Sequence, residues 1–444
     1  MHLSWRLTEP KRAAPFSTRR RLITNVKMCL DLNPRCWFSF PQPCRNMKPP
    51  RNDPNSPAVQ QILFWCLCLC FAVLANNARA GLSYWDKAGN WGSYATYTAG
   101  SLGGTWDGIG WSAVDTGQAS PNNFTEGNAA VFAVGAGATN SGTAASTTTF
   151  TVTMNNPHTV AGFFDGALMP NSCIVTITGS GVITLPAGQD AFDVDNSTDS
   201  SVGQVIVNNV MTGPGQITAE GNGQIFLNGV NTFTGGLTLG YANGGNAAVF
   251  TGIVNFNNSA SFGTGGIIIS NTATFVSALV AEGTSAITVT NPVTVMTSNS
   301  PSLNIVGNPA GVTFSGPWVL NKTLTLGSGV AGNLVTISGI ISGSGGLTKF
   351  NPATLALTGA NTYTGGTTNN AGTLSVNAIA DSGTSAIGLS GNLTFGGGKL
   401  SYTGAGAATT SRAVFVSANS SVIDLPAGNL TLNGAVKGAA SFTL

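Results

Sequence analysis

The sequence is poor in charged residues and in side chains that carry chemistry, above all after residue 80. Charged residues make up 8% of the chain, and residues 81–444 contain six Lys or Arg, thirteen Asp or Glu, one cysteine (Cys173) and one histidine (His158). One cysteine excludes a disulfide scaffold and leaves no second thiolate for a metal site. A lone buried thiol commonly serves as a small hydrophobe.

The motifs of common enzymes are absent as well. The sequence contains no Gly-x-Ser-x-Gly nucleophile turn and no Gly-Lys-Ser/Thr phosphate loop. A Ser-His-Asp arrangement would depend on His158 alone. No apolar stripe with a period of 3.6 residues follows residue 80, so helical repeats are excluded too.

Residues 1–80 have a different composition from the rest of the chain. They hold twelve Lys or Arg against three acids, six of the seven cysteines and no glycine. The formal net charge of +2 therefore combines about +9 in this segment with about −7 in residues 81–444. Such asymmetry indicates a processed segment and not a nucleic-acid surface.

A signal peptide is predicted at residues 47–80. The run Ile62–Ala75 is apolar but too short to span a bilayer comfortably. Basic residues precede it, and Ala78-Arg79-Ala80 forms an A-x-A cleavage site, so the mature protein is expected to begin at Gly81. The alternative is a membrane anchor that stays attached. Residues 1–46 are interpreted as an over-extended, disordered N-terminus.

Two segments of the chain repeat each other. Residues 213–236, GPGQITAEGNGQIFLNGVNTFTGG, align without a gap to residues 343–366, GSGGLTKFNPATLALTGANTYTGG, with ten of 24 positions identical. Between the glycines lie short segments of alternating pattern, rich in Val, Ile, Thr, Leu and Phe, which predict strands. Such strands fit a sandwich, a barrel or a β-helix, and a gapless offset favours a coil of whole turns.

The decamers GVNTFTGGLT (229–238) and GANTYTGGTT (359–368) are interpreted as equivalent corners on one face of that coil. The paired glycines are expected to take positive φ, and the asparagines to tolerate left-handed geometry and bond to the local backbone. The aromatic rings are expected to stack along the coil axis. The residues concerned are Gly235, Gly236, Gly365 and Gly366; Asn231 and Asn361; Phe233 and Tyr363. A ligand-binding loop is the alternative.

Residues Ser342 to Val376, SGSGGLTKFNPATLALTGANTYTGGTTNNAGTLSV, resemble the autotransporter-associated β-strand repeat of bacterial passenger domains. Residues Gly213 to Leu239 resemble a degenerate copy. The resemblance implies an all-β, right-handed parallel β-helix (a β-solenoid) that is exported and displayed, and it brings no catalytic residues. It also implies a C-terminal translocating barrel or anchor, which is missing from this sequence.

The β-helix is expected over residues 135–444, and we expect it to be truncated at the C-terminus inside a further repeat. The resulting uncovered edge predicts edge-to-edge self-association. Residues 81–134 are expected to form an N-terminal cap that covers the apolar end of the coil. The alternative function for this region is a sugar-stacking platform. Its tryptophans are Trp85, Trp91, Trp106 and Trp111.

An acidic group is the best candidate for chemistry. A strand would present Asp193 and Asp195 on one face, where a cation such as Ca²⁺ would relieve their repulsion. Polysaccharide lyases on parallel β-helices use such sites, but none of the six bases is obviously placed nearby. Solvated acids on an outer face are the simpler interpretation. The group comprises Asp190, Asp193, Asp195 and Asp199.

The sequence therefore predicts an exported, non-catalytic structural or adhesive protein without catalytic residues, metal site or cofactor. It would be secreted or on the cell surface, with outer-membrane association if a barrel or anchor follows. The expected partner is a surface polysaccharide or a host or matrix component, and not nucleic acid. The alternative is a carbohydrate-active parallel β-helix, either a polysaccharide lyase or a glycoside hydrolase, whose acids and base would converge in one groove.

Overall fold

Alternation of apolar and polar residues produces short strands throughout the computed structural model, and none of the residues it describes is helical. The residues that the structure describes are 82–85, 103–108, 110–112, 122–132, 148–165, 173–194, 203–220, 223–240, 252–270, 276–297, 301–438, 440 and 442–443. No described segment is a helix long and apolar enough to cross a membrane. The segments 1–46 and 47–80, with the predicted signal peptide and cleavage site, lie outside the described residues.

The first strands are β1 Leu82–Trp85, β2 Gly104–Thr105, β3 Trp111–Ser112, β4 Ala129–Phe132, β5 Thr148–Thr153, β6 His158–Thr159, β7 Gly162–Asp165, β8 Cys173–Thr178, β9 Ile183–Thr184, β10 Gln189–Val194, β11 Gln204–Val207, β12 Met211–Thr212, β13 Gln216–Glu220, β14 Gln224–Leu227, β15 Leu237–Leu239, β16 Ile253–Phe256, β17 Ile267–Ile269 and β18 Ser277–Ala281.

The remaining strands are β19 Ile287–Val289, β20 Val293–Val295, β21 Ser302–Val306, β22 Val312–Phe314, β23 Trp318–Leu320, β24 Leu324–Gly327, β25 Leu334–Ile337, β26 Ile341–Ser342, β27 Leu347–Phe350, β28 Thr354–Leu357, β29 Thr367–Asn369, β30 Thr373–Val376, β31 Leu393–Phe395, β32 Lys399–Tyr402, β33 Ala407–Thr410, β34 Val414–Val416, β35 Ser421–Asp424, β36 Asn429–Leu432, β37 Val436–Lys437 and β38 Phe442–Thr443.

These strands form a parallel β-helix whose coils have three faces. The first face is the 14-stranded sheet that runs from β2 through β5 and β8 to β37. The second face is the 3-stranded sheet β6-β9-β12, followed along the chain by the 8-stranded sheet from β19 to β38. The third face is the 11-stranded sheet from β3 to β26, followed by β33 and β36. From β5 onward the chain visits the faces in this cyclic order, although four coils have no described strand on the second or the third face. The order confirms the predicted parallel β-helix; its hand stays a prediction.

The coils differ in length although the strands stay in register. On the first face Gln204 pairs with Ile174 of the preceding coil and with Gln224 of the following one. The coil from Ile174 to Gln204 is therefore clearly longer than the coil from Gln204 to Gln224. Almost all pairings are parallel; among the described strands β1 and β3 form the antiparallel pair, through Tyr84 and Ser112.

Inward side chains form columns across the coils. One column on the first face runs through Val152, Ile177, Val207, Leu227 and Phe256, each 0% exposed and each in register with the next. Burying such a side chain contributes about 1.5–3 kcal/mol. Because strand side chains alternate with a period of two, a slip of one residue would turn a whole column outward. The columns thus fix the register of the coils.

The two repeat copies have the same local structure but lie on different faces. Strands β11 to β15 and their counterparts β25 to β29 begin at the same offset as the two aligned segments, within one residue. However, β11 belongs to the first face and β25 to the second. After β11 the chain returns to the first face at β14, β16, β18, β21 and β24, five coils, before β25 follows. The prediction of one shared face and whole turns is wrong, because strand–corner–strand units fit all three faces.

The corner asparagines bridge neighbouring coils. Asn361 Oδ1 accepts a hydrogen bond from the Ile341 backbone N at 2.8 Å, and its Nδ2 donates to the Ala386 carbonyl at 2.6 Å. Asn231 makes the equivalent two bonds at 2.8 and 2.7 Å. The expected left-handed geometry is wrong here, since among described non-glycine residues only Asn351 has positive φ, 73°. The amides satisfy backbone groups of adjacent coils and not of their own corner.

The corner aromatics are buried as expected but do not stack on other rings. Phe233 and Tyr363 are both 0% exposed, and neither contacts another aromatic ring among the described residues. Instead a glycine of the next coil lies against each ring: a Cβ at Gly263 would be 3.0 Å from Phe233 Cγ, and one at Gly388 would be 2.9 Å from Tyr363 Cδ2. The predicted aromatic stack is therefore wrong, because the next coil places glycine over the ring.

The corner glycines are needed mainly for close approach. Of the four predicted to have positive φ, Gly236 does, at 86°, whereas Gly235, Gly365 and Gly366 do not. A Cβ at Gly365 would lie 2.3 Å from the Gly346 backbone N of the preceding coil. The backbones of the two neighbouring coils are thus too close for any side chain to fit at that corner.

We expect Asn361→Ala to destabilise the coil by about 2–4 kcal/mol, because a buried N–H and a buried C=O lose their partners. The measurement is the urea midpoint followed by far-UV circular dichroism. The matched control is Asn433→Ala, since Asn433 is exposed; we expect a change within about 0.5 kcal/mol. Equal midpoints for Asn361→Ala and Asn433→Ala would contradict the bridging role.

Candidate functional site

The predicted acidic group lies partly within the described structure. Asp190 and Asp193 are in β10, where Asp193 pairs in register with Glu220 of β13. Asp195 and Asp199 lie outside the described residues. The cation site therefore stays a prediction, and no described group of three or more His, Cys, Asp or Glu could hold a metal ion.

The β-helix adds acids to this region that the sequence did not point to. Glu220 is adjacent to Asp193, and Asp165 of β7 pairs with Val194, so the backbones of three acids come together on the third face. A full coil of chain separates each of these positions from the next. Their proximity follows from coil lengths that vary and so cannot be derived from spacing.

A second cluster surrounds His158, the histidine that sequence analysis left without partners. His158 Nδ1 lies 2.6 Å from Glu126 Oε1, and Nε2 lies 2.8 Å from Asp107 Oδ1. The second carboxylate oxygens accept backbone N–H groups: Glu126 Oε2 from Thr159 at 2.6 Å and Asp107 Oδ2 from Asn155 at 3.2 Å. The cluster ties two turns to the strand β6.

The geometry of this cluster supports a structural role better than a catalytic one. A general base needs a ring nitrogen that faces the group it deprotonates. Here carboxylates occupy both nitrogens of His158, and only the doubly protonated ring can donate to both. Burial alone would raise the pKa of Asp107, but hydrogen bonds from His158 and the Asn155 backbone outweigh it and lower that pKa.

Three tryptophans of residues 81–134 pack into one aromatic cluster. Trp106 and Trp111 have ring centroids 4.6 Å apart, and Trp85 lies 5.0 Å from Trp111. All three are at most 5% exposed, so their faces are closed to a sugar ring. Trp91 lies outside the described residues. β1 already pairs in parallel with β4; the boundary at residue 134 and the cap itself stay predictions.

Two buried cations hold corner segments in place. Arg412, 7% exposed, donates to the carbonyls of Ile387 at 2.8 Å, Gly388 at 3.0 Å and Ala380 at 3.1 Å. The neighbouring carboxylate, Asp381, accepts hydrogen bonds from Ser411 and Thr410, which lower its pKa to about 2. The guanidinium thus fastens residues 380–388 to the following coil.

The second buried cation is Lys349, inside the repeat. Its side chain is 0% exposed, and Nζ donates to the carbonyls of Asn351 at 2.8 Å and Ala371 at 2.7 Å. Burial lowers the pKa of Lys349 to about 8. The ammonium bridges two coils, and no carboxylate of the described residues pairs with it, so its charge opposes folding while its hydrogen bonds favour it.

We expect the stability of the protein to rise between about pH 8 and pH 10.5 through Lys349. In this window the unfolded side chain, with its ordinary pKa of 10.5, binds more protons than the folded one. Below about pH 8 both states are protonated and the penalty is fully present. Urea midpoints of the wild-type chain and Lys349→Met from pH 7 to 10 measure the effect.

The variant Lys349→Met should lose this pH-dependent gain, whereas the control Lys322→Met, which removes an exposed ammonium, should keep it. Other groups that titrate in the same range, such as the buried Tyr363, whose pKa burial raises to about 12, contribute equally to all three proteins. Parallel pH profiles for the wild-type chain and Lys349→Met would contradict the assignment.

Comparison with known proteins places the repeat in a described family. Residues 347–376 match the Passenger-associated-transport-repeat, within the segment Ser342 to Val376 singled out from the sequence. The chain is 31% identical over 242 residues, 53% of its length, to the Adhesin BmaC autotransporter of Brucella suis biovar 1 (strain 1330). It covers 6% of that adhesin's length. No solved structure matches.

The matched repeat comprises β27 to β30, which pair in parallel with strands of the neighbouring coils. The resemblance inferred from the sequence is confirmed by this match and by the similarity to the adhesin. The chain thus carries a passenger-type repeat at residues 347–376 and is similar to an autotransporter adhesin over 53% of its length.

Proposed function

We propose that this chain is part of an exported adhesive or structural protein that acts by presenting the outer faces of its coils, without catalysis. The observation that carries the proposal is the similarity to an autotransporter adhesin over 53% of the chain, together with the passenger repeat that the coil contains. The site of action would be the cell surface or the secreted medium, with outer-membrane association if a barrel or anchor follows. The N-terminal signal peptide would direct export.

Three of the groups that could do chemistry support this proposal, because each of the three has a structural partner. Both nitrogens of His158 face carboxylates, and Lys349 and Arg412 bond to backbone carbonyls of neighbouring coils. Lys349 and Arg412 are at most 7% exposed, and the side chain of His158 is 13% exposed. A carbohydrate-active enzyme would need acids and a base around a substrate cleft, and no specific observation favours that alternative.

The outer surface of the coils has exposed apolar residues that could bind a partner. On the third face the outward residues of three consecutive coils are uncharged, and several large apolar ones are exposed: Pro292, Met296, Pro317, Val319 and Ile340. Exposed apolar groups on a rigid sheet commonly mark interaction surfaces. The proposed partners are a surface polysaccharide or a component of a host or matrix.

We expect latex beads coated with the full chain to adhere to surfaces coated with extracellular matrix or polysaccharide under flow. The control is the variant Leu355→Asp, which places a carboxylate in a fully buried column and disrupts the coil. Beads with the wild-type chain should be retained at least fivefold better. Equal retention would contradict the adhesive function, and release of reducing or unsaturated sugar ends by the purified chain would contradict the absence of catalysis.

A further inference from the structure

The second face carries a regular array of hydroxyl groups. Its strands β19, β22, β25, β28, β30 and β32 pair in parallel, in register. The outward residue at the middle of each strand defines an inner row, and the residue two positions later defines an outer row. The inner row is Thr288, Thr313, Thr336, Ala356, Ser375 and Ser401; the outer row is Thr290, Ser315, Ser338, Thr358, Asn377 and Thr403.

Ala356 is the one position of the two rows without a hydroxyl or amide, and all six outer-row residues are exposed. Hydroxyls of Ser315 and Thr403 donate to carbonyls of the preceding coil at 3.4 and 3.2 Å. Within the part of the chain that the structure describes, the hydroxyls of Thr290, Ser338 and Thr358 have no protein partner. These groups can therefore bond to a ligand without breaking a contact of the fold.

The array is also uncharged. The first charge on the paired strands is Lys399, whose Nζ lies 3.3 Å from Asp424 Oδ2 at one end of the face. Nucleic acids and anionic lipids are held by several Lys and Arg, whereas these strands carry Lys399 alone, and Asp424 pairs with it. Protein partners are held by aromatic and large apolar anchors; Leu334, 43% exposed, is the large apolar residue exposed on these strands. The chemistry of the array thus matches a neutral ligand rich in hydroxyl groups.

The array is rigid as well as periodic. Strands of one face repeat every ~4.8 Å along the coil axis, a spacing comparable to the length of one sugar ring. Threonine side chains are stiff at χ1 because they are β-branched. A ligand that repeats its hydroxyls would therefore make many bonds without ordering the protein first, and weak contacts would add up.

We propose that the second face, over β19 to β32, is the docking surface of this chain for neutral polysaccharide. The inference rests on the proposed adhesive function and narrows its partner to an extended, uncharged sugar polymer. Recognition would come from the outer row of hydroxyls, with the inner row bounding the contact.

The test is co-sedimentation of the full chain with two neutral probes, microcrystalline cellulose and crystalline chitin. We expect retention on at least one of them that persists from low salt to about 1 M salt, since screening affects charged contacts only. The triple variant Thr290→Val, Ser338→Ala and Thr358→Val should bind at least tenfold more weakly. The matched control changes a threonine row of the first face, Thr348→Val, Thr368→Val and Thr394→Val, and should stay within about twofold of the wild-type chain.

Urea midpoints establish that both triple variants fold, and Ser338→Glu, which adds a charge to the outer row, should weaken binding likewise. Retention on neither probe, loss of binding in high salt, or equal weakening by both triple variants would overturn the proposal. If the second-face triple variant still supports wild-type bead adhesion while the wild-type chain binds neither polymer, the docking surface is wrong and the adhesive function stands. If the wild-type chain shows neither bead adhesion nor polymer binding, both the docking surface and the adhesive function are wrong.

Discussion

The in-register stacking of inward apolar columns is the interaction on which the rest of the structure depends. Each coil adds a parallel strand to two or three of the faces and buried residues to their columns, such as Val205 between Val175 and Ile225. Because the columns and not the corners set the register, long and short coils stack equally well. Corners can then vary, provided that close passages use glycine and that amides such as Asn361 satisfy backbone groups between coils.

This division of labour explains why one sequence motif can occupy different faces. The pair β13–β15 and its counterpart β27–β29 have nearly the same strand bounds and corner contacts, yet the first lies on the third face and the second on the first face. The repeated unit is one strand, one corner and the next strand. A triangular coil offers three equivalent places for such a unit, and its position depends only on how many units precede it.

The sequence predicted the fold class because alternation, glycine spacing and the repeat at Ser342 to Val376 are local signals. It could not predict the face of each copy, since the offset between the copies does not reveal the number of coils within it. The sequence could not predict the side-chain clusters for the same reason. One example is the cluster of Asp107, Glu126 and His158, which are up to 51 residues apart and come together only through the register of the coils. The sequence also could not predict that Trp106 and Lys349 are buried, because an outward and an inward position on a strand differ by one residue.

The central claim is that the second copy of the repeat lies five coils further along the β-helix and one face further around it than the first copy. It is tested most directly by electron–electron double resonance between spin labels at Asn208 and Ser338, equivalent exposed positions after β11 and β25, in a cysteine-free background. Two points on one edge five coils apart are separated by about 24 Å, from strand spacings of ~4.8 Å. The account predicts a clearly longer distance for this pair than for Asn208 and Ala331, which follow first-face strands. Equal distances for the two pairs would contradict it.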